Sequence, residues 1–204
     1  MFSPLPARGL RTNKKLNLTV DIAIGVAALH HVNIAHSDLK PANVLVNYHP
    51  ERQIVGQIAD FGGSLDLNSD QKTPNMKTTL WSAPEVSIGE PEIDWRRADI
   101  WTCGLIIASI WSHVPSDQRT ISSCYLDKII SEYLDGDLKN ARLQLLKTEP
   151  DRGPGSLIYR CKSSFGNLSQ VFNNTFSCKA PLRKDMKDVI AGDLEPLCVQ
   201  AGRK

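Results

Sequence analysis

Four chemically capable side chains, Asp38, Lys40, Asn43 and Asp60, fall in two short segments of this sequence. The run His36-Ser37-Asp38-Leu39-Lys40-Pro41-Ala42-Asn43 holds a carboxylate, an amine and an amide. Asp60-Phe61-Gly62 comes 17 residues after Asn43, and Ala83-Pro84-Glu85 begins 23 residues after Asp60. Side chains of these types can take a proton, fix a positive charge or offer oxygen atoms to a hard cation. A purely local alternative stands beside that chemistry, with Asp38 in an Asx-turn and Asn43 capping a strand.

In this order and at these intervals, the three motifs resemble the catalytic loop, the metal-binding loop and the end of the activation segment of eukaryotic-type protein kinases. The resemblance runs from about residue 8 to about residue 195. It implies a Ser/Thr protein kinase that uses ATP and Mg²⁺, with a catalytic loop of the non-RD type, His36-Ser37-Asp38. Asp38 would accept or orient the acceptor hydroxyl proton, and Lys40 would place a positive charge at the transferring phosphoryl group. Asn43 and Asp60 would be the Mg²⁺ ligands, and Gly62 would let the backbone turn sharply after the metal ligand. His36 is expected to pack on Phe61 as part of an internal spine. Thr78, in Lys77-Thr78-Thr79-Leu80-Trp81-Ser82, aligns with the threonine that bonds the catalytic Asp and Lys. Asp99 aligns with the aspartate that holds the catalytic-loop backbone, and Arg183 with the buried partner of Glu85. The position of Lys40 points to a Ser/Thr acceptor on a protein substrate.

Ser37 departs from the family, whose regulated members carry Arg there to gather an activation-loop phosphate. Ser69, Thr73 and Thr79 are therefore weak candidates for an activating phosphosite. The chain also contains no G-x-G-x-x-G and no V-A-I-K-like strand. The expectation is thus a C-terminal helical lobe, mainly α with a small β-hairpin, without the N-terminal β-lobe. Two other readings remain open: a pseudokinase-like interaction module, and a small-molecule phosphotransferase of similar fold.

The elements that must position these residues are legible in the hydrophobic pattern. Leu18, Ile22, Val26 and Leu29 recur at steps of three and four, which predicts an amphipathic helix with Asn17 as N-cap and Asp21 in its first turn. Val44–Val46 and Gln53–Ile58 read as a hairpin turning through Tyr48-His49-Pro50-Glu51. Residues 61–80 read as one long loop. The stretch 98–111 is apolar nearly all round, which predicts a helix buried in the middle of the domain. Further helices are expected over 123–133, 137–147, 168–176 and 184–194. Residues 1–16 read as a lead-in segment and 17–204 as the domain, with its catalytic loop at 36–43 and its metal-binding loop and activation segment at 60–85.

Composition narrows the classes. The chain has 204 residues, 41% hydrophobic and 23% charged, which suits a globular core rather than disorder. Its 24 basic and 22 acidic residues leave a net charge of +2, with no bulk footprint for nucleic acid or membrane. Cys103, Cys124, Cys161, Cys178 and Cys198 form no C-x-x-C pair, which argues against a zinc site or disulfide framework. No signal core or membrane-length apolar run is present, so an intracellular and cytoplasmic setting is expected. His30, His31, His49 and His113 show no partner pattern and read as filler.

Overall fold

The computed structural model describes residues 3–4, 10–69, 81–111, 168–175, 177 and 179–201. Its elements run β1 (Ser3–Pro4), α1 (Thr12–His31), β2 (Ile34–Ala35), β3 (Val44–His49), β4 (Gln53–Ile58), β5 (Leu65–Asp66), α2 (Pro84–Ile88), α3 (Trp95–Trp111), α4 (Ser169–Thr175), α5 (Met186–Val189) and α6 (Glu195–Gln200). A π-helical stretch, Ile190–Leu194, joins the last two.

The apolar positions of α1 explain its placement. Leu16, Leu18, Ile22, Ala23 and Val26 are all buried, on the side facing β4 and α3. Six of its 20 residues are β-branched, so intrinsic propensity contributes little and tertiary burial holds it. The helix starts at Thr12, inside the expected lead-in segment and five residues before the expected cap. Lys14, Lys15 and Leu16 are good helix formers, and Leu16 finds a buried place. The side chain of Asn17 therefore caps nothing: its amide donates to the Arg52 carbonyl at 3.2 Å. Asp21 accepts from the Arg52 guanidinium at 2.5 Å and from the Gly56 N–H at 2.9 Å. Both residues tie α1 to the hairpin instead of starting the helix. At Gly25 a Cβ would lie 2.8 Å from Ile58 Cδ1, so helix and strand approach closely there.

The hairpin forms as expected, with β3 extended to His49. Its register runs from Val44↔Ile58 at the open end to His49↔Gln53 at the turn. Two additions were not foreseen. Ser3–Pro4 adds an edge strand, giving the order β1-β3-β4. β2 and β5 form a separate antiparallel pair, Ile34↔Asp66 and Ala35↔Leu65. The expected loop thus begins as a 3₁₀ turn, Phe61–Gly63, followed by a strand.

α3 lies at the centre, as its all-round apolarity predicts. Ile100, Cys103, Ile106 and Ile107 are fully buried, with Trp95, Ala98, Trp101, Leu105 and Ile110 nearly so. Thr102 reconciles its hydroxyl with this setting by donating to the Trp81 carbonyl at 2.9 Å. α4 begins one residue after the expected start. The closing segment is a 3₁₀ turn, α5, the π-helical stretch and α6, where one helix over 184–194 was expected. The helices expected over 123–133 and 137–147 lie outside the described residues. Among the described residues, no helix is long and apolar enough to cross a membrane.

Burial raises the pKa of the Cys103 thiol far above its ordinary value, and the Asp99 carboxylate adds to the effect. Native protein is expected to leave Cys103 unalkylated by iodoacetamide between pH 7 and pH 9, because the reactive thiolate is suppressed throughout that range. Peptide mapping after labelling, with and without denaturant, checks this. Labelling of Cys103 in the folded state would contradict the burial of α3.

Candidate functional site

Asp99 sits near the start of α3, only 2% exposed. A carboxylate at that depth needs hydrogen-bond donors, and it has three. Its Oδ2 accepts the His36 N–H at 2.7 Å and its Oδ1 the Ser37 N–H at 2.9 Å. His30, from the last turn of α1, places Nε2 3.1 Å from Oδ2. Ser37 has φ 63°, a left-handed conformation that a residue with a Cβ adopts reluctantly. The two charge-assisted bonds at His36 and Ser37 hold the chain in that turn, just before Asp38.

Beyond the turn, Asp38 is 5% exposed and its Oδ2 lies 2.6 Å from Lys40 Nζ. Pro41 opens a 3₁₀ turn that ends at Asn43. The Asn43 side-chain amide donates to the Asp38 carbonyl at 2.9 Å. That bond uses its nitrogen and leaves its oxygen as an acceptor. The hairpin then leaves from Asn43 and comes back to it, because the Ala59 N–H donates to the Asn43 carbonyl at 2.9 Å. Asp60 is thereby set beside the Asp38–Asn43 loop although it comes 17 residues after Asn43.

Asp60 is solvent-exposed, with φ 64° and ψ 69°. The sharp turn expected of Gly62 occurs at Asp60 itself, a residue type that tolerates the left-handed region better than most. Gly62 lies within the following 3₁₀ turn, with no positive φ. His36 donates from Nε2 to the Ala59 carbonyl, 2.9 Å away, and its ring stands 5.5 Å from that of Phe61. The expected contact is present, but Phe61 is half exposed rather than internal. Its outer side lines an open apolar groove with Leu29, Ile34 and Leu65.

Glu85 and Arg183 meet as a bidentate pair, Nη1–Oε1 2.6 Å and Nη2–Oε2 2.8 Å, both almost fully buried. Arg183 also donates from Nε to the Ser177 carbonyl and from Nη1 to the Arg97 carbonyl, each at 2.8 Å. Its guanidinium lies over the Trp101 ring, 5.1 Å from the centroid. Arg97 returns the contact by donating to the Arg183 carbonyl, and pairs with Asp185 at 2.9 Å. The pair fastens α2 to the C-terminal segment and to α3. It touches neither Asp38 nor Asp60.

The structure therefore brings Asp38, Lys40, Asn43, Asp60, His36 and Phe61 to one place, with Asp99 bonded to the backbone just before Asp38 and Glu85–Arg183 bracing the start of α2. Thr78 falls outside the described residues. Sequence reasoning missed His30, dismissed as filler. Only the crossing of α1 and α3 brings it to Asp99, and no local spacing signals that contact.

The family model for the protein kinase domain matches residues 7–148. Homeodomain-interacting protein kinase 4 of Homo sapiens is 29% identical over 123 residues, covering 58% of this chain and 19% of that protein. A probable serine/threonine-protein kinase of Dictyostelium discoideum is 30% identical over 152 residues, 71% of this chain and 18% of its own length. A further probable serine/threonine-protein kinase, from Saccharomyces cerevisiae, is 27% identical over 160 residues, 74% and 10% respectively. The chain thus spans about a fifth or less of the relatives it resembles.

Substituting Arg183→Ala would strand the Glu85 carboxylate in the core, and a loss of about 3–5 kcal/mol in unfolding free energy is expected. Arg183→Lys keeps the charge but not the two-pronged geometry, and should lose much of the same stability. Urea unfolding followed by circular dichroism measures both; a change below about 1 kcal/mol for Arg183→Ala would be incompatible with a buried pair.

Proposed function

Because the chain belongs to the protein kinase domain family, we propose that it carries the phosphotransfer site of a Ser/Thr protein kinase, moving the γ-phosphoryl group of ATP to a protein hydroxyl. The observation that carries this reading is the convergence on one loop of a buried carboxylate, an amine 2.6 Å from it, and two oxygen-bearing side chains delivered by the ends of one hairpin.

In this reading Asp38 orients the acceptor hydroxyl and takes its proton as the new oxygen–phosphorus bond forms and the bond to the bridging oxygen of ADP breaks. Lys40 holds a positive charge beside the phosphoryl oxygens and keeps the Asp38 carboxylate aligned. Asn43 and Asp60 offer the oxygen ligands for Mg²⁺, an ion commonly held by one or two side-chain oxygens together with substrate phosphates. When bound, Mg²⁺ supplies charge neutralisation at the β- and γ-phosphates. The bond from the Asn43 nitrogen to the Asp38 carbonyl fixes which atom of the amide is left for the metal. A Ser/Thr acceptor is favoured by the placement of Lys40 two residues after Asp38, and the serine/threonine kinases among the relatives support it. The substrate is a protein and the setting intracellular, where ATP is supplied.

The described residues build the side of the cleft that acts on the acceptor, the γ-phosphate and the metal. The sequence contains no G-x-G-x-x-G to cover the remaining phosphates. The 204-residue chain alone is therefore expected to bind ATP–Mg²⁺ weakly and to show no measurable phosphotransfer, since half a pocket cannot preorganise the nucleotide. Fusion to an ATP-clamping kinase lobe should bring transfer to a generic Ser/Thr substrate, and Asp38→Asn in that fusion should reduce it by at least about 10²-fold. Calorimetry with ATP–Mg²⁺ and radiolabel transfer provide the measurements. Micromolar binding with Asp38-dependent transfer by the chain alone would overturn the division of labour, and Asp38-independent transfer in the fusion would overturn the assignment of the base.

A further inference from the structure

The short pair of strands β2 and β5 ends one residue before the loop that carries Asp38, yet its register does not end there. The backbone rungs are the Leu67 N–H to the Asn33 carbonyl at 2.8 Å, then Ile34↔Asp66 and Ala35↔Leu65. Continuing in the same register brings His36 opposite Ser64 and Ser37 opposite Gly63, and both positions are bridged by a serine hydroxyl. Ser64 Oγ reaches the His36 carbonyl at 3.5 Å, and Ser37 Oγ donates to the Gly63 carbonyl at 2.5 Å. The side chains alternate between the two segments, one hydroxyl from each. A Cβ at Gly63 would sit 3.8 Å from Asp38 Cβ, so the next step along this ladder is Asp38 itself.

We propose that Ser37 is a positioning residue whose hydroxyl extends the β2–β5 ladder to the edge of the site and sets the spacing between the Asp38 loop and the turn that follows Asp60. Ser37 is held at φ 63° by the bonds of its N–H and that of His36 to Asp99, and this conformation aims its hydroxyl across the ladder. The tether is uncharged and internal to the chain. It therefore places the Asp60 turn without requiring any phosphate group on the segment beyond it. This role rests on the kinase reading only for its consequence in catalysis; the tether itself is a property of the two loops.

Three variants of Ser37, to Gly, Ala and Thr, separate the hydroxyl from the backbone. Ser37→Gly relieves the positive φ but removes the hydroxyl, whereas Ser37→Thr keeps the hydroxyl and adds a β-branch that this φ disfavours. Hydrogen exchange by mass spectrometry on the full chain reads amides in 61–67 against those of α3. The tether predicts exchange in 61–67 faster by roughly five- to tenfold in Ser37→Gly and in Ser37→Ala, and near the parent rate in Ser37→Thr, with α3 unchanged in the glycine and alanine variants. Protection of 61–67 that follows the backbone instead, kept in glycine and lost in threonine, overturns the proposal. So does exchange unchanged in both hydroxyl-less variants, or raised equally in 61–67 and α3. Failure of phosphotransfer in the fused kinase leaves this readout intact, so the two readings fail separately.

Discussion

One buried carboxylate organises this part of the molecule. Asp99 lies where water cannot reach it, so its charge must be met by donors from the protein, and those donors come from two nearby pieces of chain: the end of α1 through His30, and the backbone at His36 and Ser37. Leaving any one of those backbone N–H groups unsatisfied in the core would cost about 1–3 kcal/mol. The same demand that keeps Asp99 paired therefore keeps the chain in a left-handed turn it would not choose alone. The position of Asp38 follows from that turn, and those of Lys40 and Asn43 follow from Asp38. The loop that carries Asp38 is thus referred to α3, the most buried helix among the described residues.

The Glu85–Arg183 pair does the complementary task away from the chemistry. Its guanidinium meets two carboxylate oxygens and two carbonyls and covers an indole face, so each of its three nitrogens has a partner in the core. A pair of this kind gains little over well-packed apolar residues, but it is unforgiving of the loss of one member. It specifies which two distant segments meet. The two buried charges, Asp99 and Glu85, thus join distant segments by different means, one mainly through backbone donors and one through a side-chain fork.

What could be read in the sequence was whatever repeats or alternates. α3 announced itself because Ile100, Ile106 and Ile107 leave it no polar face, and the hairpin because β-branched residues flank a turn. The start of α1 was misplaced because Asn17 and Asp21 have the chemistry of a cap, and only tertiary contact with Arg52 and Gly56 reveals that they serve another purpose. β2 and β5 are two residues each, too short to show any period, and are created by the pairing itself. The spacing of Asp38, Asn43 and Asp60 was legible as a pattern. The left-handed turn at Asp60 was not, because the glycine two residues on was the obvious place for it. His30 gave no signal, since a single histidine's partner depends on how two helices cross.

The β3–β4 hairpin has a consequence for how the molecule can tolerate change. Its site-facing end is pinned at Val44↔Ile58 and by the Ala59–Asn43 bond, while its far end at His49–Gln53 meets solvent. Geometry at the pinned end is indifferent to what happens at the tip, provided the strands stay in register. Extra sequence placed between Pro50 and Arg52 would project outward like a flag on a pole, and Asp60 would still return beside Asn43. By contrast, a single residue inserted within either strand would flip the side chains beyond it on that strand to the opposite face of the sheet. This hairpin is therefore both the ruler that sets the distance between Asn43 and Asp60 and the natural place to attach foreign sequence.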